Sequence, residues 1–190
     1  IEKMVTPYEI AENMDIFGNV SRRLISSDSE SEYKNMRKCL AILTQIDPED
    51  TQKALSDRYG EILGGDFNAK AADSLCWAIA ATAGTFPEEI ENELIPDILN
   101  TFIEIVSKSE NGEEIDVYAR GIAYICAQYF TPLIKNEELF INYALTLINY
   151  IGNSKDMELL QYVALDTLRF FSSNRLCRPL LVKQVEGNPS

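Results

Sequence analysis

The chain has 190 residues, enough for one sizeable domain or a short run of repeats. Its 30 acidic and 17 basic residues give a net charge of −13, which repels phosphate backbones and argues against direct nucleic-acid binding. Histidine is absent, which excludes Ser-His-Asp and Cys-His catalysis, histidine general bases and the commonest zinc ligand.

Four cysteines (Cys39, Cys76, Cys126 and Cys177) sit 37, 50 and 51 residues apart with no CxxC pair. Three fall inside apolar helical patterns, the pattern of reduced structural thiols in an intracellular protein. No metal or other cofactor is expected, and no phosphate loop or paired-carboxylate signature supports an enzyme. The longest uncharged run, Leu139 to Ser154, contains three asparagines and falls short of the roughly 18 apolar residues of a membrane span. Ile1-Glu2-Lys3 is not expected to open a signal peptide. A chain without an initiator Met, ending Gly187-Asn188-Pro189-Ser190, is expected to be a fragment of something longer.

Residues 1–32 differ from the rest. Short β-prone runs flank Phe17-Gly18-Asn19 and allow either a hairpin or an irregular loop, followed by a polar linker from Ser26 to Ser31. From 33 to 190 the pattern is helical. Met36, Leu40, Leu43 and Ile46 predict a first helix over Glu32–Ile46, and Pro48 opens a second that runs to about Leu63. Gly64-Gly65 ends that one. A third, about Ala69–Thr85, is nearly uncharged after Asp73 and must be buried on most sides. Phe86-Pro87-Glu88-Glu89 starts a fourth that ends near Ser107, with Pro96 expected to bend it. Further helices are predicted over about Glu114–Tyr129, Asn136–Ile151 and Asp156–Ser172, with another beginning at Arg178.

Helices of this length in pairs predict an all-α solenoid, and a period supports it. Ile95, Leu99, Ile103 and Val106 recur 44 residues later as Leu139, Tyr143, Leu147 and Tyr150 at identical offsets, within the lag of about 40–47 that HEAT and armadillo repeats show. Each of these helices carries a second apolar stripe: Leu94, Ile98, Phe102 and Ile105 in one, Phe140, Ala144, Ile148 and Ile151 in the other. One stripe suffices to pack a helix on its partner. The second is either covered by neighbouring repeats or left to form a groove for an amphipathic peptide. Between Pro87 and Asp116 stand ten acids and one base, Lys108, so a ligand beside this segment should not be strongly acidic.

Four strings stand in order: Tyr33-Lys34-Asn35-Met36-Arg37, Leu75-Cys76-Trp77-Ala78-Ile79, Tyr124-Ile125 with Gln128-Tyr129, and Ala164-Leu165-Asp166-Thr167. Together they resemble the middle of the exportins for leucine-rich nuclear export signals, in the importin-β (karyopherin) superfamily. The resemblance covers roughly residues 5–184, with a short insertion near Met157. It implies a HEAT-repeat segment of about three complete repeats, with residues 1–32 forming the end of a preceding repeat and a hairpin loop. It further implies a receptor rather than an enzyme, shuttling between nucleus and cytoplasm. Its partners would be leucine-rich cargo and, in the full-length protein, Ran-GTP and nuclear pore proteins. The implied peptide-binding residues are Leu99, Ile103, Val106, Ala119, Ala123, Leu139, Tyr143, Leu147, Tyr150 and Val163. The loop from about Tyr8 to Leu24 would couple Ran occupancy to groove opening. Departures accompany the match. Val106 stands where animal relatives have a reactive cysteine, Pro132 replaces an aromatic, and groove lysines fall on Gly112, Ile115, Glu138 and Thr146. The alternative is a HEAT scaffold without a groove, which full coverage of Ile103 and Leu147 would favour.

Overall fold

A computed structural model describes residues 1–153 and 157–187. The chain opens with an antiparallel hairpin, β1 (Tyr8–Met14) and β2 (Val20–Ser26), in register from Tyr8 opposite Ser26 to Met14 opposite Val20. Of the two conformations the sequence leaves open, the hairpin is the one adopted. Its turn is built around Asp15, whose carboxylate accepts the backbone N–H of Phe17 at 2.8 Å and of Asn19 at 2.9 Å. Gly18 takes φ 81°, a left-handed conformation that suits glycine.

The helices follow as α1 (Glu30–Ile46), α2 (Pro48–Gly64), α3 (Ala69–Ala81), α4 (Glu88–Lys108), α5 (Gly112–Gln128), α6 (Phe130–Leu133), α7 (Glu137–Asn153), α8 (Glu158–Ser173) and α9 (Arg178–Gly187). Their starts are chemically marked. The side chains of Asp47, Asn68, Asn111 and Asn136 each accept a backbone N–H from the first turn of α2, α3, α5 and α7. Pro48 occupies the first turn of α2, where a missing N–H costs nothing.

Two boundaries and one added element bear on the packing. Glu30 already belongs to α1, so the polar linker is shorter than Ser26–Ser31. The third helix stops at Ala81 rather than Thr85, because the Thr82 hydroxyl bonds back to the Ile79 carbonyl at 2.8 Å and Gly84 turns the chain at φ 74°. The one-turn α6 was not foreseen. Asp156, where the seventh predicted helix was to begin, and the terminal 188–190 lie outside the described residues.

Helices α2 with α3, α4 with α5, and α7 with α8 pack as consecutive pairs, while α3, α5 and α8 pack against one another in turn. Short connections between paired helices and stacking of successive pairs define an α-solenoid of the HEAT type. The core follows the α3–α5–α8 row. Trp77 stacks on Tyr124 with ring centroids 3.8 Å apart and meets Tyr33 edge-on at 5.2 Å, while Phe102 packs on Tyr118 at 4.9 Å. Burying one such ring contributes about 2 kcal/mol, against about 0–1 for an exposed ion pair, so the aromatic seam rather than surface charge holds the pairs together.

One ionic cluster lies inside. Arg120 is buried and bonds Asp73 and Asp116, each at 2.9 Å, tying α5 to α3. The N-terminal segment closes over the same place: Thr6 bonds Asp73, and Ser74 bonds the Met4 carbonyl at 2.8 Å. The hairpin is held at its far side by Arg22, which pairs with Glu158 of α8 and whose carbonyl accepts the Tyr162 hydroxyl at 3.0 Å. Among the described residues no helix is long and apolar enough to cross a membrane.

Candidate functional site

Helices α4 and α7 are the first members of consecutive pairs, and they meet at a seam where Tyr143 of α7 bonds Pro96 and Asn100 of α4 and where Ile95 and Pro96 share a cleft with Leu139. The expected stripe residues are Leu99, Ile103 and Val106 on α4, and Leu139, Tyr143, Leu147 and Tyr150 on α7. A polar contact joins the two helices. The Tyr143 hydroxyl donates to Asn100 Oδ1 at 3.2 Å and lies 3.4 Å from the Pro96 carbonyl. A tyrosine in an otherwise apolar stripe is the signal for such a partner, because a buried hydroxyl needs one; Asn100 was not singled out from the sequence.

Coverage is uneven along the stripes. Leu99 and Leu147 are wholly covered, and Tyr143 is 1% exposed. Ile103, Val106, Leu139 and Tyr150 remain half-buried. The second stripes follow the same course: Ile98, Phe102, Phe140 and Ala144 are buried, whereas Ile148 is 53% exposed. Of the pair of residues that separates groove from scaffold, Leu147 is covered and Ile103 is not. Burial pushes the Tyr150 phenol up to about 12 and the Tyr143 phenol higher still.

The seam opens at its N-terminal end into a cleft of about 390 Å³, lined by Ile95, Pro96, Leu133 and Leu139 with Asn92 and Lys135 at its edge. Ala119 and Ala123, fully buried on α5, lie in the second layer. Val163 of α8 stands elsewhere. It lines a separate cleft of about 360 Å³ walled by Tyr8, Tyr33, Trp77 and Tyr124, beneath the hairpin. Of the ten expected residues, seven lie on α4 and α7, two on α5, and Val163 on α8 beside another opening.

The positions onto which the resemblance maps groove lysines are neutral or acidic: Gly112 at the start of α5, Ile115 half-buried, Glu138 exposed and Thr146 half-buried. Pro132 falls in α6 and lines the cleft at the seam's end. Cys39 is exposed on α1, whereas Cys76, Cys126 and Cys177 are buried. Of the three thiols expected to be buried from helical patterns, Cys39 is the one that is not: it sits on the solvent side of α1.

An all-α solenoid segment with two parallel apolar stripes on successive outer helices is the class of protein that the fold and seam define. No family model matches the chain. It is similar to Exportin-1 of Dictyostelium discoideum, with 28% identity over 190 residues that cover 98% of this chain and 18% of that protein. It is 28% identical over 131 residues to Exportin-1 of Drosophila melanogaster and of Schizosaccharomyces pombe, in each case 68% of this chain and 12% of the relative. The chain therefore spans less than a fifth of the length of these relatives, and the resemblance carried by the four sequence strings extends along it. It is an exportin-like segment.

Proposed function

We propose that this chain is the peptide-binding segment of a nuclear export receptor, in which leucine-rich cargo inserts apolar anchors between α4 and α7. The observation that carries the reading is the pairing of two stripes at identical offsets on adjacent outer helices of a chain similar to exportins over 98% of its length. Cargo binds by apolar burial and main-chain ordering rather than by any covalent step. In this reading binding requires the seam to part, because Leu99, Tyr143 and Leu147 are already covered. Opening breaks the Tyr143–Asn100 contact and exposes those side chains, a cost the peptide anchors offset by replacing them. In the full-length protein Ran-GTP biases the seam toward the open form through the hairpin, and the receptor shuttles between nucleus and cytoplasm past nuclear pore proteins.

A second reading rests on the covered Leu147: a HEAT scaffold in which both stripes are permanent core. Titration of the 190-residue chain with a labelled leucine-rich export peptide decides between them. Saturable binding that is lost when the peptide's leucines become serine supports the receptor; its absence at high micromolar chain supports the scaffold.

A further inference from the structure

The cleft beneath the hairpin is lined by aromatic rings and by two opposite charges that are not paired. Tyr33 of α1, Trp77 of α3 and Tyr124 of α5 form its buried lining, each at most 7% exposed. Trp77 stacks on Tyr124 at 3.8 Å and meets Tyr33 at 5.2 Å, so the three rings make one continuous aromatic surface. Tyr8 of β1 and Phe170 of α8 add two rings that remain exposed. The Trp77 indole N–H is buried without a hydrogen-bond partner among the described residues, an arrangement that calls for an explanation. At about 360 Å³ the cleft falls within the range of small-molecule sites, about 300–1,000 Å³.

The two charges are Arg37 of α1 and Asp166 of α8. Among the described residues neither is in an ion pair, with the other or with any third group. Asp166 is exposed, and half-buried Arg37 donates to Gln128 Oε1 at 3.2 Å, which leaves most of the guanidinium donors unused. Both charges reach the Tyr8 hydroxyl: burial pushes that phenol up, Asp166 adds to the shift and Arg37 opposes it. Glu30 and Lys34 act on Tyr8 too, but they pair with each other at 2.7 Å. Arg37 also borders a second cleft, whose carboxylates Glu88 and Glu91 are taken by Lys135 and by the Gly84 N–H.

A ligand seated here shields both charges from water at once. One that carries a single charge satisfies one of them and leaves the other partly desolvated, which is costly. A zwitterion with an aromatic body answers the ring surface, the carboxylate and the guanidinium together. A residue inside a peptide has neither terminal charge, and one at a peptide end has only one. We propose that this cleft binds a free aromatic amino acid, with its ring against Tyr33, Trp77 and Tyr124, its ammonium at Asp166 and its carboxylate at Arg37. The site uses no residue of α4 or α7 and stands whether or not the seam takes peptides. Of the expected peptide contacts only Val163 lines it.

Trp77 is the only tryptophan of the chain, so its fluorescence reports occupancy of the cleft. The 190-residue chain is titrated with L-phenylalanine under selective excitation of Trp77, with calorimetry as a second readout. Saturation with a dissociation constant of about 0.1–1 mM is expected for so small a ligand. Phenethylamine lacks the carboxylate and 3-phenylpropionate lacks the ammonium; each should bind about fivefold more weakly. L-leucine keeps both charges but lacks the ring and should bind about tenfold more weakly. Asp166→Asn should weaken phenylalanine and phenethylamine and leave the propionate unchanged. Arg37→Gln should weaken phenylalanine and the propionate and leave phenethylamine unchanged. Circular dichroism checks that both variants fold, and the ligand series on the parent chain decides by itself should either unfold. No saturation by about 10 mM phenylalanine, leucine binding as tightly as phenylalanine, or a folded variant that weakens all three aromatic ligands alike overturns the proposal.

Discussion

Gly121 offers the sharpest test of the packing that supports the seam. It lies in the middle of α5, where glycine costs up to about 1 kcal/mol of helix propensity relative to alanine. On propensity alone Gly121→Ala should stabilise. The structure reverses the sign. A Cβ at this position would stand 2.4 Å from Cys76 Sγ, 3.1 Å from Cys76 Cβ and 3.6 Å from a Phe102 ring carbon. Cys76 is wholly buried on α3. Overpacking of a tight core costs about 1–3 kcal/mol, so the net loss is expected near 1–2 kcal/mol after the propensity gain. For a chain of this size that is a drop of roughly 2–8 °C in thermal midpoint. Cys76→Ala removes the sulfur and the worst contact, so the double variant should be less destabilised than the two single changes together, with a coupling of about 1 kcal/mol. Thermal and urea unfolding of the four proteins, followed by circular dichroism, supply the cycle. A higher midpoint for Gly121→Ala, or strict additivity, would show that α3 and α5 do not approach this closely.

Three further outcomes are expected. Leu147→Asp buries a charge where the parent residue is fully covered and should destabilise by about 3–5 kcal/mol, whereas Ile103→Asp, on a half-buried position, should fold with a smaller loss; equal urea midpoints for both would contradict the uneven seam. In a Cys39→Ser background, which removes the exposed thiol, an α,β-unsaturated lactone should leave the chain unmodified, because burial pushes the Cys177 thiol up to about 11 and those of Cys76 and Cys126 higher, while adding Val106→Cys should create one adduct by intact mass. An adduct on Cys76 or Cys126 in the background protein would mean that the core is open. Burial raises Tyr33 and Tyr150 to about 12, and Tyr118, Tyr124, Tyr129 and Tyr143 in the same direction, so the folded state favours the neutral phenols. Their contribution to stability is complete below the ordinary tyrosine value near 10 and is lost as pH rises from about 10 through 12. Tyrosinate absorbance should therefore appear together with unfolding; ionisation of these phenols in a chain that stays folded would refute the burial.

Helix positions were legible because their signals are local. Pro48 at the start of α2, Asn111 before α5 and the acid-rich turn after Pro87 act through backbone groups a few residues away, and each boundary they mark falls within a few residues of its expected place. Where the expectation failed, the deciding partner was distant. The Thr82 hydroxyl that helps end α3 early lies 2.7 Å from that of Tyr129, 47 residues on. Cys39 follows a helical apolar pattern yet faces solvent, while Cys177, in the turn before α9, is buried. The same division governs the seam. Periodicity identifies two apolar stripes on α4 and two on α7, but whether a stripe is covered depends on the separation of helices 44 residues apart in sequence. Tyr143 bonds Asn100 across that separation, and Leu99 and Leu147 are covered while Ile103, Val106 and Tyr150 are half-buried. On the peptide-binding reading proposed above, groove and core are two positions of one pair of helices rather than two kinds of residue. A stripe able to serve as either must be apolar enough to close on itself and interrupted enough by polar contacts to part, and a single hydroxyl-to-amide bond among leucines and isoleucines meets both conditions.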